Sequence, residues 1–278
     1  MDYKLDIKTT KTVDGLFNID YDYVKAPLDV QVDAFALNKL GLVSPSQYFK
    51  MIHGQPKGHH LLVYTRSNMD VYNDKQTGNV VLIKGGLLGN KYTKDIVAAH
   101  SKNKEFVLQE DAFADYIMNI ALHGGDDSIR MFDSGNKVLS TENLDQDIAD
   151  FIITDADLRI TAKDHGKYLN EVHGIKNITM YLDDTDYIKN QNGSYLTKLR
   201  LGGSGISFNI SGFNSRNLDV SSGAFGVRFS LAEGAQKSIA LPYVPKEKVK
   251  AEKAIDGFID GKKTLDDLKT VQNFLKSF

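Results

Sequence analysis

Between Gly174 and Tyr243 short apolar runs recur at near-regular spacing, each alternating with polar residues and each cut from the next by glycine, asparagine or serine. The runs are Ile178 with Met180, Tyr195 to Leu201, Ile206 with Phe208 and Ile210, Phe225 with Val227 and Phe229, and Ile239 with Leu241. Turn clusters such as Asn190-Gln191-Asn192-Gly193 and Gly202-Gly203-Ser204-Gly205 separate them. Period-two alternation buries one face of a strand and cannot bury a helical stripe, and short polar turns join antiparallel neighbours. The pattern therefore predicts an antiparallel β-rich unit over 174–243, closed as a sandwich or a barrel.

On either side of it the texture differs. Leu5 and Ile7, then Phe17 and Ile19, then Leu28, Val30 and Val32 alternate as half-buried strands do. Asp33 is placed to cap a short helix through Phe35 and Leu40, and Ser44 before Pro45 marks the start of another carrying Tyr48, Phe49 and Ile52. Leu61 to Tyr64 and Val80 to Ile83 read as strands. From Glu110 to His123 the apolar positions Phe113, Tyr116, Ile117, Ile120 and Ala121 give the clearest amphipathic helix. A weaker helix follows Thr141 through Leu144 and Ile148, and another runs from Asp164 through Leu169 to a Gly174 cap. After Pro242 and Pro245, two apolar stripes, Ala251 to Ile259 and Leu265 to Leu275, predict a helical hairpin. The expected fold is α+β: a mixed region over 1–173, the β-rich unit over 174–243, and the C-terminal helical hairpin over 244–278.

Composition narrows the function classes. With 278 residues, 41% hydrophobic and 25% charged, the chain is long enough and apolar enough to bury a large core. The lack of cysteine excludes disulfides, thiol nucleophiles and cysteine-ligated metal centres. A net charge of −2 supplies no global field for nucleic acid or anionic lipid. No apolar stretch reaches membrane-spanning length and no leader pattern opens the chain, so no membrane partner is expected. The expected location is cytoplasmic: a host cytoplasm, or a virion if the chain is phage-encoded.

Five local patterns carry candidate chemistry. Val80 to Thr93 runs strand, glycine turn, lysine, but Asn90 and Tyr92 stand where a phosphate-binding loop needs glycine and a hydroxyl, so it reads as an ordinary turn into a helix. His53, His59 and His60 could gather around a borderline metal, yet no carboxylate is near in sequence. His123, Asp126 and Asp127 place an imidazole beside two carboxylates, the makings of a hydrolase or metal-assisted site, although Gly124-Gly125 between them is common turn chemistry. Asp183, Asp184 and Asp186 resemble the opening of a calcium loop that lacks its later ligands, and read as solvated turn carboxylates. Lys198, Arg200, Arg216 and Arg228 could line a basic sheet face that grips single-stranded DNA or RNA.

No cofactor, metal or catalytic residue is assigned from these patterns. The reading that remains is a non-enzymatic assembly or binding protein, such as a viral or phage virion subunit, that self-associates or binds another protein. The alternatives are the nucleic-acid-binding sheet face and the hydrolase at His123, Asp126 and Asp127.

Overall fold

The computed structural model describes residues 6–11, 18–38, 40–53, 65–86, 91–122, 128–204, 207–212 and 222–228. The C-terminal helical hairpin expected over 244–278 and the Leu61 to Tyr64 strand lie outside them. In chain order the elements are β1 (Asp6–Lys11), β2 (Asn18–Ala26), α1 (Leu28–Leu37), β3 (Leu40–Leu42), α2 (Pro45–His53), β4 (Thr65–Asn73) and β5 (Val80–Ile83). There follow α3 (Thr93–His100), β6 (Phe106–Val107), α4 (Glu110–Leu122), β7 (Ile129–Phe132), β8 (Lys137–Ser140), α5 (Asp147–Ile153) and α6 (Ala162–His173). The last are β9 (Asn177–Tyr181), α7 (Thr185–Lys189), β10 (Tyr195–Ser204), β11 (Ser207–Ser211) and β12 (Ser222–Arg228). The class is α+β.

All these strands join one branched sheet of order β1-β2-β12-β4-β10-β11-β9-β8. β3 pairs with β12, β6 with β10, and β5 with β4 on one side and β7 on the other. The strands after Gly174 thus do not make a self-contained antiparallel unit. β12 lies between β2 and β4, β10 lies beside β4, β11 runs parallel to β9, and Ala224 of β12 meets Arg66 of β4 in parallel register. Alternation marks a residue run as a strand but says nothing of which strand lies beside it, and here long-range pairing interleaves the two halves of the chain.

Helices cover both faces, and successive side chains of the central strands alternate between two cores. Met69, Val71, Leu199 and Leu201 face a core shared with Tyr48, Phe49 and Ile52 of α2, Phe151 and Ile152 of α5, and Leu169 of α6. Tyr72, Val81, Ile83 and Leu196 face the other, with Leu28 and Phe35 of α1, Ile96 of α3 and Phe113 of α4. There the Tyr72 and Phe113 rings stack with centroids 3.6 Å apart. Phe35 reaches the sheet directly over Gly226, where an added Cβ would collide with its ring. Only glycine lets α1 approach that closely.

Local chemistry explains the helix ends. Ser44 and Gln47 bond reciprocally, Gln47 N–H to Ser44 Oγ at 3.0 Å and Ser44 N–H to Gln47 Oε1 at 2.8 Å, which starts α2 where the sequence placed it. Thr161 accepts from Asp164 N–H at the start of α6, and Gly174 closes that helix at φ +70°. α1 departs from expectation. Leu28, Val30 and Val32 alternate like a strand, but they form the first turns of a helix entered from Pro27, and its buried residues are Leu28, Gln31 and Phe35. Their spacing of three and four, not two, follows the helix period.

Candidate functional site

Of the basic sheet face expected at β10, the Lys198 position is interior. Lys198 is 0% exposed, on the side of β10 that carries Leu196, and its ammonium forms an ion pair with Asp70 at 2.7 Å, where the carboxylate is likewise 0% exposed. Lys198 Nζ also donates to the Gly86 carbonyl at 3.1 Å. Gly86 has φ +62°, and a Cβ there would stand 2.8 Å from that nitrogen. Arg66, buried two strands from β2, donates through Nη1 to Ala26 O at 2.9 Å and to Gln31 Oε1 at 2.6 Å, while Gln31 Nε2 donates back to Val24 O at 3.1 Å. These contacts bind α1, β2, β4 and β10 together. Arg200 is half-buried and stands opposite Arg66 in the ladder, and Arg228 pairs in register with Leu40. The side chain of Arg228, and Arg216 entirely, lie outside the described residues. A groove for single-stranded nucleic acid built on Lys198 is corrected by this geometry: its ammonium is buried and engaged by a carboxylate.

The histidines sort differently. His123, Asp126 and Asp127, with His59 and His60, lie outside the described residues. His53, in the last turn of α2, meets a residue the sequence reading passed over, His165 on α6, with Nε2 and Nδ1 2.7 Å apart and rings stacked at 4.9 Å. The Phe49 ring also packs against His165, with centroids 4.4 Å apart. Tyr168 packs on His53 at 4.3 Å and on His173 at 5.2 Å, and its hydroxyl donates to Ile52 O at 3.1 Å. Burial first, and then the nearby His53 and His173, hold the His165 pKa well below the usual 6.5. The available signal was the spacing His165, Leu169, His173, which is a single helical stripe and puts both imidazoles on the buried side of α6. No group of three or more histidine, aspartate or glutamate side chains placed to hold a metal occurs among the described residues.

At one end of the sheet four connections converge and brace one another. The β4–β5 turn, 74–79, is closed by Asp74, whose carboxylate accepts from Gln76 N–H at 3.0 Å and Thr77 Oγ1 at 2.7 Å. Lys75 N–H donates to Ser194 Oγ at 3.0 Å, which ties this turn to the one before β10. Gly78 packs against α7, where a Cβ would lie 2.6 Å from Thr185 Cγ2. In the β7–β8 turn Ser134 Oγ is 2.6 Å from Thr185 Oγ1, and Gly135 N–H donates to Asp183 O at 2.9 Å.

Beneath this platform the aspartates divide in role. Asp184 caps α7, accepting from Tyr187 N–H at 2.7 Å, and is exposed. Asp183, expected in solvent, is buried and accepts a 2.5 Å hydrogen bond from the Tyr195 hydroxyl. Desolvation first, and then the charge of Asp183, push the Tyr195 phenol far above its normal range, so it serves as a fixed donor and not as a base. Tyr187 donates to Glu105 at 3.0 Å, and His100 Nε2 lies 3.7 Å from the other oxygen of that carboxylate. The result is a set of cross-bonded turns presenting Gln76, Thr77, Asp133, Asp184, Asp186 and Asn192 to solvent.

No family model and no curated protein matches the sequence. A solved structure described in the words "Accommodation of massive sequence variation in Nanoarchaeota by the C-type lectin fold" is similar at 18% identity, covering 76% of this chain and 97% of that one with a TM-score of 0.49.

Proposed function

We propose that this chain is a non-enzymatic binding or assembly protein that meets its partner, a second copy or another protein, through the platform of turns at the end of the sheet. The observation that carries the reading is the bracing of that platform. Its connections bond to each other and to Asp183, whose buried carboxylate is held by the Tyr195 hydroxyl, while their polar tips stay exposed. Preordered loops lose little conformational entropy on binding, and a rigid scaffold with polar loops is the usual way a sheet protein presents a recognition surface. A virion subunit is one instance of this class. The buried ionisable groups support the same reading, since Lys198, Asp70 and Arg66 are spent on holding strands and helix together.

Sedimentation equilibrium across a wide concentration range tests the assembly form. The reading expects a mass above that of one chain, returning to it when the exposed cap residue is changed, Asp184→Arg together with Thr77→Arg. A wild-type mass that stays at one chain up to near-millimolar concentration would overturn self-assembly through this platform.

A further inference from the structure

We propose that the contact between α2 and α6 is an acid-operated latch, held closed by the His53–His165 imidazole pair and opened when the buried His165 takes up a proton. The facing nitrogens are 2.7 Å apart, so a single proton lies between them. If His53 donates, His165 accepts through Nδ1, and its proton sits on Nε2, which is buried without a hydrogen-bond partner. Charging His165 then requires a proton on the accepting nitrogen, which replaces the bond with two opposed N–H groups. In the other tautomer His165 donates, and charging it puts a cation at the buried, unpartnered Nε2. Each route to a charged His165 is opposed while the contact is closed and free once it opens, whereas, with His53 as the donor, a proton on the other nitrogen of half-buried His53 leaves the bond in place.

Among the described residues no carboxylate offsets a charge on His165, whose pKa is set by burial and by His53 and His173. From α2, His165 faces His53 and the Phe49 ring, with Lys50 buried one turn before His53. Along α6, His173 adds positive potential and Tyr168 bridges the two imidazoles. On the neighbouring 3-10 turn, Thr141–Asn143, and on α5, Glu142, Asp147 and Asp150 are exposed, and Asp147 is paired with Arg130. The sign follows from the lowered folded pKa. The closed contact is fully stable above about pH 6.5 and loses stability as pH falls below it, because the open form binds protons that the closed form refuses.

Hydrogen exchange of the full chain from pH 7 to pH 4.5, corrected for intrinsic rates, reads this directly. Protection of the α6 amides is expected to fall about tenfold per pH unit below 6.5, while β4 and β10 amides keep theirs over the same range. His165→Phe should reduce the α6 dependence to less than about twofold per unit. His53→Gln, which keeps a neutral donor in a half-buried position, should leave the fall beginning near pH 6.5, because His165 still takes up its proton when the contact opens. Loss of α6 and strand protection in step, or an α6 profile unchanged by His165→Phe, would overturn the latch.

Discussion

Replacing Lys198 by methionine removes an ammonium that is 0% exposed and leaves Asp70, also 0% exposed, without the cation 2.7 Å away. The Gly86 carbonyl, 3.1 Å from the same nitrogen, loses a donor as well. Methionine has nearly the volume of lysine, so the cost is electrostatic and not a cavity. Breaking one side of a buried pair typically costs about 3–5 kcal/mol. With a guanidinium m-value of about 5 kcal/mol/M for a chain of this size, a 4 kcal/mol loss lowers the unfolding midpoint by about 0.8 M. Asp70→Asn should cost a comparable amount by stranding the ammonium. The double variant, with no charge on either side, should cost less than the sum of the singles, by a coupling of up to about 3 kcal/mol. Equilibrium guanidinium unfolding of the four proteins measures all three quantities. A Lys198→Met variant within about 0.5 kcal/mol of wild type would refute the reasoning, since that is the behaviour of an exposed lysine.

Three further outcomes follow from single contacts. Tyr195→Phe deprives the buried Asp183 carboxylate of its 2.5 Å donor and should lower stability by about 1–3 kcal/mol, read by the same unfolding experiment. Gly226→Val puts methyl groups where the Phe35 ring lies, so thermal unfolding should show a loss of several degrees, and exchange should rise in α1 more than in α6. Thr161→Ala removes the acceptor for Asp164 N–H at the start of α6 and should cost about 1 kcal/mol without moving the α2 amides.

What the amino-acid order disclosed was mostly local. α2 was legible because Ser44, Pro45 and Gln47 act within one turn, and α6 because Gly174 supplies the left-handed close that a side chain resists. The amphipathic stripe of Phe113 and Tyr116 placed α4 to within a residue. β4 escaped notice for a physical reason. It lies in the middle of the sheet, between two cores, yet carries Arg66, Ser67, Asp70 and Asn73, so it reads as a polar connection. The partners that make those residues tolerable are distant in sequence: Gln31 and Ala26 for Arg66, Leu199 O for Ser67 and Lys198 for Asp70. The same long range hid the His53–His165 pair, separated by 112 positions. Lys198 was misread as part of a wet face because alternation distinguishes two sides of a strand without saying that helices cover both. Asp183 was misread because a run of aspartates at a turn resembles solvated chemistry until the Tyr195 hydroxyl is seen beneath it.

The most direct test of the binding platform is hydrogen exchange of the full chain at neutral pH, compared at low micromolar and near-millimolar concentration. The account predicts that amides of 74–79, 133–136 and 183–194 gain protection as the chains associate, while those of α1, α3 and α6 do not change. Protection that is independent of concentration everywhere, or that rises on the helical faces and not at these turns, would contradict self-assembly through the platform.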